Sequence, residues 1–324
     1  MLARFATLNF WRDSCPGWRQ NRRTLNPASK PLLEVLTSGT AYLEKKGVEE
    51  ARLNMEHLLA HTLGCRRLDL YLRFAERLPE TDLAPLRELL RRRGEGEPLQ
   101  HLLGTVEFGD HEFVCDHRGL IPRPETEYLV EILQKRLAGS KPARILDVGT
   151  GSGCLGISLA LATGAPTVLV DISEDALDLA RLNVSRLAGG AAIQAVRSDL
   201  FEKVTGTFDL IAANLPYIPH AEIATLSREV RRDPHLALDG GPVGTEIIFR
   251  FLEAAPAHLN AEGRIALEHA HDQSAAIAEK AASLGYRDIE VVRDLAGVER
   301  FLLAKAPPAP PPVEVEAAVE APAT

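Results

Sequence analysis

Short apolar segments alternate with longer amphipathic ones over residues 143–305. Seven segments have the length and the β-branched, apolar character of strands, and most are followed by a stretch with 3.6-residue spacing. They are Ala143–Gly149, Pro166–Ile172, Ile193–Asp199, Phe208–Asn214, Gly263–His269, Asp288–Asp294 and Glu299–Lys305. Strands that alternate with helices pack as a parallel sheet covered on both faces, so we predict an α/β fold. Only a short turn joins the last two strands, which predicts an antiparallel hairpin at one edge.

The region before the predicted sheet has a helical pattern instead. Apolar positions recur at helical spacing in three segments that end near glycine, at residues 32–47, 51–64 and 82–96. Residues 104–116 alternate around Gly109-Asp110 and predict a hairpin, and Pro124 suits the first turn of a following helix. We therefore predict a small helical domain at residues 31–100, a hairpin linker at 101–122 and the α/β domain at 123–305.

Both ends of the chain differ in composition from its middle. Residues 1–30 carry six basic side chains against the single acid Asp13, and they lack the apolar core of a secretory signal. A poorly ordered basic extension is favoured over an organelle-targeting peptide. Residues 306–324 are rich in Pro, Ala, Val and Glu, and we expect a disordered tail there.

Composition narrows the functional classes. A net charge of −8 gives no general attraction for nucleic acid, and no apolar run approaches the roughly 20 residues of a membrane span. The four cysteines match no metal or redox spacing, which is typical of reduced thiols in a cytoplasmic protein. His57 and His61 lie one helical turn apart, but no third ligand is nearby, so a plain helix face is favoured and we predict no metal site. Without a surplus apolar stripe, we expect a monomer.

The turn after the first strand is the first candidate site. Gly149, Gly151 and Gly153 permit a tight turn that exposes free N–H groups of the next helix, as in many nucleotide sites. Asp147 just before them can hold an ammonium group and would repel a pyrophosphate, and Asp171 closes the next strand, where it can accept two ribose hydroxyls. An ammonium group and a ribose together indicate S-adenosylmethionine. The remaining predicted cofactor residues are Thr150, Ser152, Asp199, Leu200 and Asn214.

The end of the fourth strand, Asn214-Leu215-Pro216-Tyr217, is the second candidate site. The fourth strand should lie beside the first, where strand order reverses and ligands bind. A planar NH2 group is a poor nucleophile, but two acceptors that grip its N–H bonds can orient it toward a methyl group. Asn214 Oδ1 and the Leu215 carbonyl can be those acceptors, because Pro216 favours an extended Leu215. Tyr217 can face a flat substrate or the sulfonium.

These motifs resemble the class I S-adenosylmethionine-dependent methyltransferases, and "LIPRPETE" with "NLPYIP" resembles their release factor glutamine methyltransferase (HemK) family. The resemblance covers about Pro31–Lys305. It implies a Rossmann-like domain, a helical domain that recognises the substrate, and methylation of the glutamine in the Gly-Gly-Gln loop of peptide chain release factors. It also implies that Asn214, Pro216 and Tyr217 are the catalytic and substrate-binding residues, joined by Leu215.

Some positions depart from the family pattern and leave alternatives open. Leu215 stands where the family usually has proline, Asp233 where it tends to have glutamate, and Ala270 where it has glycine. An exocyclic amine of adenine or guanine makes the same demand for two acceptors, so nucleic-acid methylation is the alternative. A cofactor-binding module without catalysis is another. Arg123 and Glu125 could contact substrate or cap the following helix.

Overall fold

The computed structural model describes residues 29–139 and 142–308. The chain divides into two compact units between Arg91 and Arg92. Most of the predicted basic extension and of the predicted Pro/Ala-rich tail lies outside the described residues, and the predicted domain boundaries stay predictions. Within the described ranges, no helix is long and apolar enough to span a membrane.

The first unit consists mainly of the helices predicted from sequence. Its elements are β1 (Lys30–Pro31), α1 (Leu32–Lys45), α2 (Ala51–Leu63), a 3-10 turn (Arg67–Leu72), β2 (Arg77–Leu78) and α3 (Glu80–Gly94). Leu36, Gly39 and Leu43 share the buried face of α1. A Cβ atom on Gly39 would lie 2.3 Å from Sδ of Met55 in α2, so the missing side chain lets these two helices approach closely.

The second unit begins with α4 (Leu99–Leu103), the antiparallel strands β3 (Thr105–Phe108) and β4 (His111–Val114), and α5 (Pro124–Leu137). The predicted hairpin is confirmed. Its buried Phe108 and Phe113 rings meet edge to face, 5.8 Å apart, and join the core of the unit. The amide of Asn183 binds both the N–H and the carbonyl of Val114. The hairpin is therefore packed into this unit.

The rest of the second unit is one seven-stranded sheet with helices. The strands are β5 (Ile145–Val148), β6 (Thr167–Asp171), β7 (Ile193–Arg197), β8 (Phe208–Asn214), β9 (Leu259–Glu268), β10 (Arg287–Arg293) and β11 (Glu299–Lys305). Their order is β10–β11–β9–β8–β5–β6–β7. Within this sheet, β11 alone runs antiparallel to the other six strands. The predicted Rossmann-like sheet with an antiparallel edge hairpin is confirmed.

Besides α5, four helices of the described residues pack on the sheet: α6 (Cys154–Thr163), α7 (Glu174–Leu187), α8 (Glu246–Ala254) and α9 (Ser274–Ser283). Alternate residues of β8 enter different cores, Leu210 and Ala212 in one and Ile211 and Ala213 in the other. Both faces of this strand are therefore buried, which explains its apolar run Leu210–Ala213.

The strand order creates the crevice that holds the site. The chain leaves β5 toward β6 and β7, then returns to pair β8 with the other side of β5. Strand order therefore reverses between β5 and β8, and the loops after these two strands diverge. Val148 pairs with Ala213, and Asn214 pairs with Glu268 of β9, so the carboxyl ends of β5, β8 and β9 meet at one edge.

Candidate active site

A cavity of about 290 Å³ opens at the carboxyl ends of β5, β6 and β8. Most of the predicted cofactor residues line it, namely Asp147, Gly149, Thr150, Gly151, Ser152, Asp171, Asp199, Leu200 and Asn214. Gly153 does not. It has a φ of +84° just before α6, and a Cβ atom there would lie 2.7 Å from Cδ1 of Ile157. Gly153 therefore shapes the turn and its packing.

The turn after β5 requires glycine at Gly149 as well. This residue has a φ of +74°, and a Cβ atom on it would lie 2.9 Å from Cδ2 of Leu215. The N–H groups of Gly149 and Thr150 both donate to the carbonyl of Val170, which holds the turn against β6. The backbone can therefore approach a ligand closely here.

Asp147 is buried beneath the turn with part of its hydrogen-bonding capacity unused. Its Oδ2 atom accepts hydrogen bonds from Thr150 Oγ1 at 2.6 Å and from the Gly156 N–H at 2.9 Å. Its Oδ1 atom has no hydrogen-bond partner in the part of the chain that the structure describes. Burial raises the pKa of this carboxyl to about 7. A cationic ligand group would satisfy the free oxygen and favour the ionised form.

The ends of β6 and β7 supply two further acids. Asp171 accepts the N–H groups of Gly151 and Ser173, each at 2.9 Å, and burial raises its pKa. Each carboxylate oxygen still has a lone pair for a ligand hydroxyl. Asp199 is ion-paired with Arg250 at 2.9 Å, and the next residue, Leu200, has a φ of +44°. A leucine is rarely found in this left-handed region, and such strain clusters at binding sites.

Asn214 is held by a row of buried polar groups. Its Nδ2 donates to Thr126 Oγ1 at 2.9 Å, and the Thr126 hydroxyl donates to Glu268 Oε2 at 2.7 Å. The Tyr217 hydroxyl donates to the other carboxylate oxygen at 3.4 Å. Burial raises the pKa of Glu268 to about 7. Because the NH2 end of Asn214 is engaged, its oxygen is left for the cavity.

The backbone of the Asn214–Tyr217 segment is enclosed by a glycine-rich loop. A Cβ atom on Gly240 would lie 2.8 Å from the carbonyl oxygen of Pro216, and one on Gly244 would clash with the carbonyl of Tyr217. Gln273 donates to that same carbonyl at 2.8 Å. The loop therefore fixes the motif through close backbone contact that larger residues would prevent.

Leu215 has a packing role that the sequence did not suggest. Its side chain is only 4% exposed and belongs to the core beside Gly149. The sequence predicts a role for its carbonyl alone, whereas the structure also places its side chain in the core. The residue joins the substrate motif to the cofactor turn.

A second cavity, of about 220 Å³, lies on the other side of the motif. Asn214, Leu215 and Tyr217 line it together with Arg123, Glu125 and Arg300, among others. Pro216 lines only the first cavity and Tyr217 only the second, within the described residues. The motif therefore forms the wall between two spaces, as a transfer between two bound molecules requires.

The structure gives Arg123 a partner. Its guanidinium pairs with Asp233 at 2.5 Å, and the Asp233 side chain is fully buried. Burial raises the pKa of Asp233 to about 6, against the lowering effect of the guanidinium. Aspartate at this position is therefore long enough to close the ion pair. Glu125, which lines the second cavity, remains a candidate substrate contact.

Sequence reasoning missed Thr126 and Glu268. Thr126 lies in the "LIPRPETE" motif, and Glu268 ends the strand next to β8. Both positions could therefore have been recognised in the sequence as candidates for the site. Their meeting depends on the packing of α5 against the sheet, which strand and helix patterns do not reveal.

A further group missed from sequence is exposed. Among the described residues, the side chains grouped with metal-ligand geometry are His220, His235 and Asp239. His220 Nδ1 lies 2.8 Å from Asp239 Oδ2, within hydrogen-bond distance. His57 and His61 are not part of such a group in residues 29–139 and 142–308.

Comparison with known proteins agrees with this arrangement. A model described as PrmC N-terminal domain matches residues 34–104, and one described as methyltransferase small domain matches residues 123–232. A release factor glutamine methyltransferase from Rhodopirellula baltica is 39% identical over 290 residues, which are 86% of this chain and 97% of the relative. The chain belongs to the release factor glutamine methyltransferase family.

Other relatives show the same extent of similarity. The release factor glutamine methyltransferase of Chlorobaculum tepidum is 40% identical over 283 residues, covering 84% of this chain and 96% of the relative. Among solved structures, the catalytic domain of hMettl16 in complex with the MAT2A 3'UTR hairpin 6 has a TM-score of 0.52 at 16% identity, over 68% of this chain and 81% of that one. At this identity, the likeness shows only that the two chains share the methyltransferase fold.

Proposed function

We propose that this protein transfers a methyl group from S-adenosylmethionine to the side-chain amide nitrogen of the glutamine in the Gly-Gly-Gln motif of peptide chain release factors. The observation that carries this proposal is the orientation of Asn214, whose NH2 group is bound to Thr126 and whose oxygen is free for a substrate amide. The names of the relatives support the release factor as the substrate.

The residues of the larger cavity fit this cofactor. The free Oδ1 of Asp147 suits the ammonium group of an amino acid, and Asp171 suits the ribose hydroxyls. Gly149 and Gly151 keep the turn free of side chains, and a Cβ atom on Gly151 would meet no described atom within 4 Å. When bound, the cofactor supplies an electrophilic methyl group on a cationic sulfonium.

The motif after β8 can orient the nitrogen that accepts the methyl group. Asn214 Oδ1 and the Leu215 carbonyl would each accept one N–H of the glutamine amide, which favours the pyramidal nitrogen that can attack in line. Formation of the nitrogen–methyl bond would leave the electrons of the broken sulfur–methyl bond on sulfur, and the proton lost by the nitrogen would pass to solvent. Tyr217 lines the substrate side, and its hydroxyl is held by Glu268, so its ring is a fixed surface for the amide.

The roles of the other regions follow as part of the proposal. Residues 31–100 would recognise the release factor, since every proposed cofactor residue lies after Arg144. We further propose that the protein is a cytoplasmic monomer. Methylation of a nucleobase amine is not favoured, because the two relatives described above, which match 84–86% of this chain, are both named for the release factor.

The decisive experiment is single-turnover methylation of a purified release factor with labelled S-adenosylmethionine at saturation. The wild-type protein should label the Gly-Gly-Gln glutamine, and a release factor with asparagine at that position should stay unlabelled. Asn214→Ala should lower the rate by about 100-fold or more, judged from the cost of a lost positioning group. Asn214→Asp should also be slow, because it loses the NH2 donor to Thr126. Equal labelling of DNA or RNA, or near-normal turnover by Asn214→Ala, would contradict the proposal.

A further inference from the structure

Three polar side chains from separate elements form one hydrogen-bonded row behind the proposed substrate site. Thr126 comes from α5, Asn214 ends β8 and Glu268 ends β9. The Asn214–Thr126 and Thr126–Glu268 bonds measure 2.9 and 2.7 Å. Thr126 and Glu268 are each 2% exposed, so water does not compete for their hydrogen bonds.

The chemistry of the three groups gives the row one direction. An ionised carboxylate can only accept hydrogen bonds, so the single hydroxyl hydrogen of Thr126 must point to Glu268. Toward Asn214 the hydroxyl can then only accept, and only the NH2 end of the asparagine amide can fill that place. The oxygen end must turn to the opposite side. The row therefore selects one of the two flips of an amide that is otherwise nearly symmetric in shape.

We propose that Thr126 and Glu268 are positioning residues for methyl transfer, which act by keeping the Asn214 amide oxygen directed at the substrate nitrogen. This inference rests on the proposed function. With the amide flipped, the NH2 group of Asn214 would face the NH2 group of the substrate, and neither could accept. Methyl transfer therefore requires the correct flip of the Asn214 amide. The buried carboxylate of Glu268, at the other end of the row, sets that flip.

The same carboxylate also reaches the other end of the substrate motif. Its Oε1 atom accepts from the Tyr217 hydroxyl at 3.4 Å, while Oε2 serves Thr126. One side chain from β9 therefore fixes both polar side chains of the motif after β8. This accounts for a buried acid at a place where burial alone is unfavourable.

The first test compares kinetic constants of Thr126→Val, which removes the hydroxyl, with Thr126→Ser, which keeps it. We expect kcat to fall about 30-fold or more in the valine variant and to stay within about threefold of wild type in the serine variant. The Kd for S-adenosylmethionine and the KM for the release factor should change little. Thr167→Val is the matched control, since the hydroxyl of this buried threonine donates to the carbonyl of Ala165 at the opposite end of the sheet. Equal loss in the serine and valine variants, or none in either, would overturn the proposal.

Glu268→Gln tests the direction of the hydrogen bonds in the row, because glutamine keeps the shape of the glutamate side chain but can donate as well as accept. Both flips of the asparagine then become possible, so kcat should fall by about twofold if they are equally populated, and by more if the unproductive flip is favoured, with the cofactor Kd unchanged. In wild type, kcat should fall below about pH 7 as Glu268 is protonated, whereas the variant should lack that step. The charged and titratable groups that face Glu268 are Glu125, Cys154, Tyr217 and Arg300. These groups are the same in wild type and in Glu268→Gln, so the difference between the two pH profiles reports the titration of Glu268. A variant with wild-type kcat and pH profile would refute the directional role.

A readout without turnover separates this inference from the proposed function. In ¹⁵N-labelled protein, the side-chain NH2 signals of Asn214 should be single and slow to exchange in wild type and Thr126→Ser. They should double or exchange faster in Thr126→Val and Glu268→Gln, because the amide samples both flips. If the wild-type protein fails to methylate release factors, the function is wrong and these signals alone decide the inference. Unchanged Asn214 signals in Glu268→Gln would overturn it in either case.

Discussion

Replacing Asp147 with asparagine should change stability and cofactor binding in opposite directions. The carboxyl is 1% exposed, and burial raises its pKa from the usual 3.8 to about 7. Since the folded protein holds this proton more tightly than the unfolded chain, the group's contribution to stability is complete below pH 3.8. It is lost as the pH rises through about 7. At pH 8 the loss is on the order of 4 kcal/mol.

The asparagine variant avoids this loss but leaves one buried NH2 group without a partner, at a cost of about 1–3 kcal/mol. The net gain at pH 8 without cofactor should be about 1–3 kcal/mol, which raises Tm by several degrees. The affinity for S-adenosylmethionine should fall about 10- to 150-fold, since a hydrogen bond between charged groups is lost. Thermal melts and titration calorimetry measure the two effects.

Asp294→Asn is a control for which we expect the opposite change in stability at pH 8. Burial works against this carboxylate, but hydrogen bonds from the N–H groups of Val298 and Ala296 lower its pKa. Its contribution is therefore present at pH 8, and the variant should be less stable with unchanged cofactor affinity. An Asp147→Asn protein that melts earlier than wild type at pH 8, or binds the cofactor equally well, would refute the reasoning.

Three further outcomes are expected. Asp171→Ala should weaken S-adenosylmethionine binding by about 1.5–3 kcal/mol in calorimetry, and unchanged affinity would remove this residue from the site. Leu215→Pro keeps the carbonyl and restricts φ, so single-turnover rates should be unchanged or modestly higher. It also loses buried side-chain contacts, which should lower stability by about 1–3 kcal/mol in denaturant titrations; a large loss of rate in folded protein would contradict the carbonyl role. Removing residues 31–97 should leave cofactor binding largely intact and abolish methylation of an intact release factor, and normal methylation by the folded truncation would exclude substrate recognition by this region.

The pattern of residues along the chain was enough to predict the sheet and most of the residues that line the candidate cofactor cavity. Strand patterns such as Phe208–Asn214 and the alternation with helices were enough for the fold, because local periodicity reflects which faces are buried. Gly149, Asp147 and Asp171 could be assigned because each lies at the end of a predicted strand. Parallel strands bring those ends to one edge of a sheet wherever the helices pack.

The orientation of the Asn214 side chain, in contrast, could not be predicted without the folded structure. Its partner Thr126 lies 88 residues before it in the chain, and Glu268, which binds Thr126, lies 54 residues after it. These side chains meet because α5 packs beside β8 and β9. The buried side chain of Leu215 against Gly149 is a contact of the same kind. Periodicity reports whether a residue faces the core, but not which polar group it meets there, because that depends on how separate elements pack together.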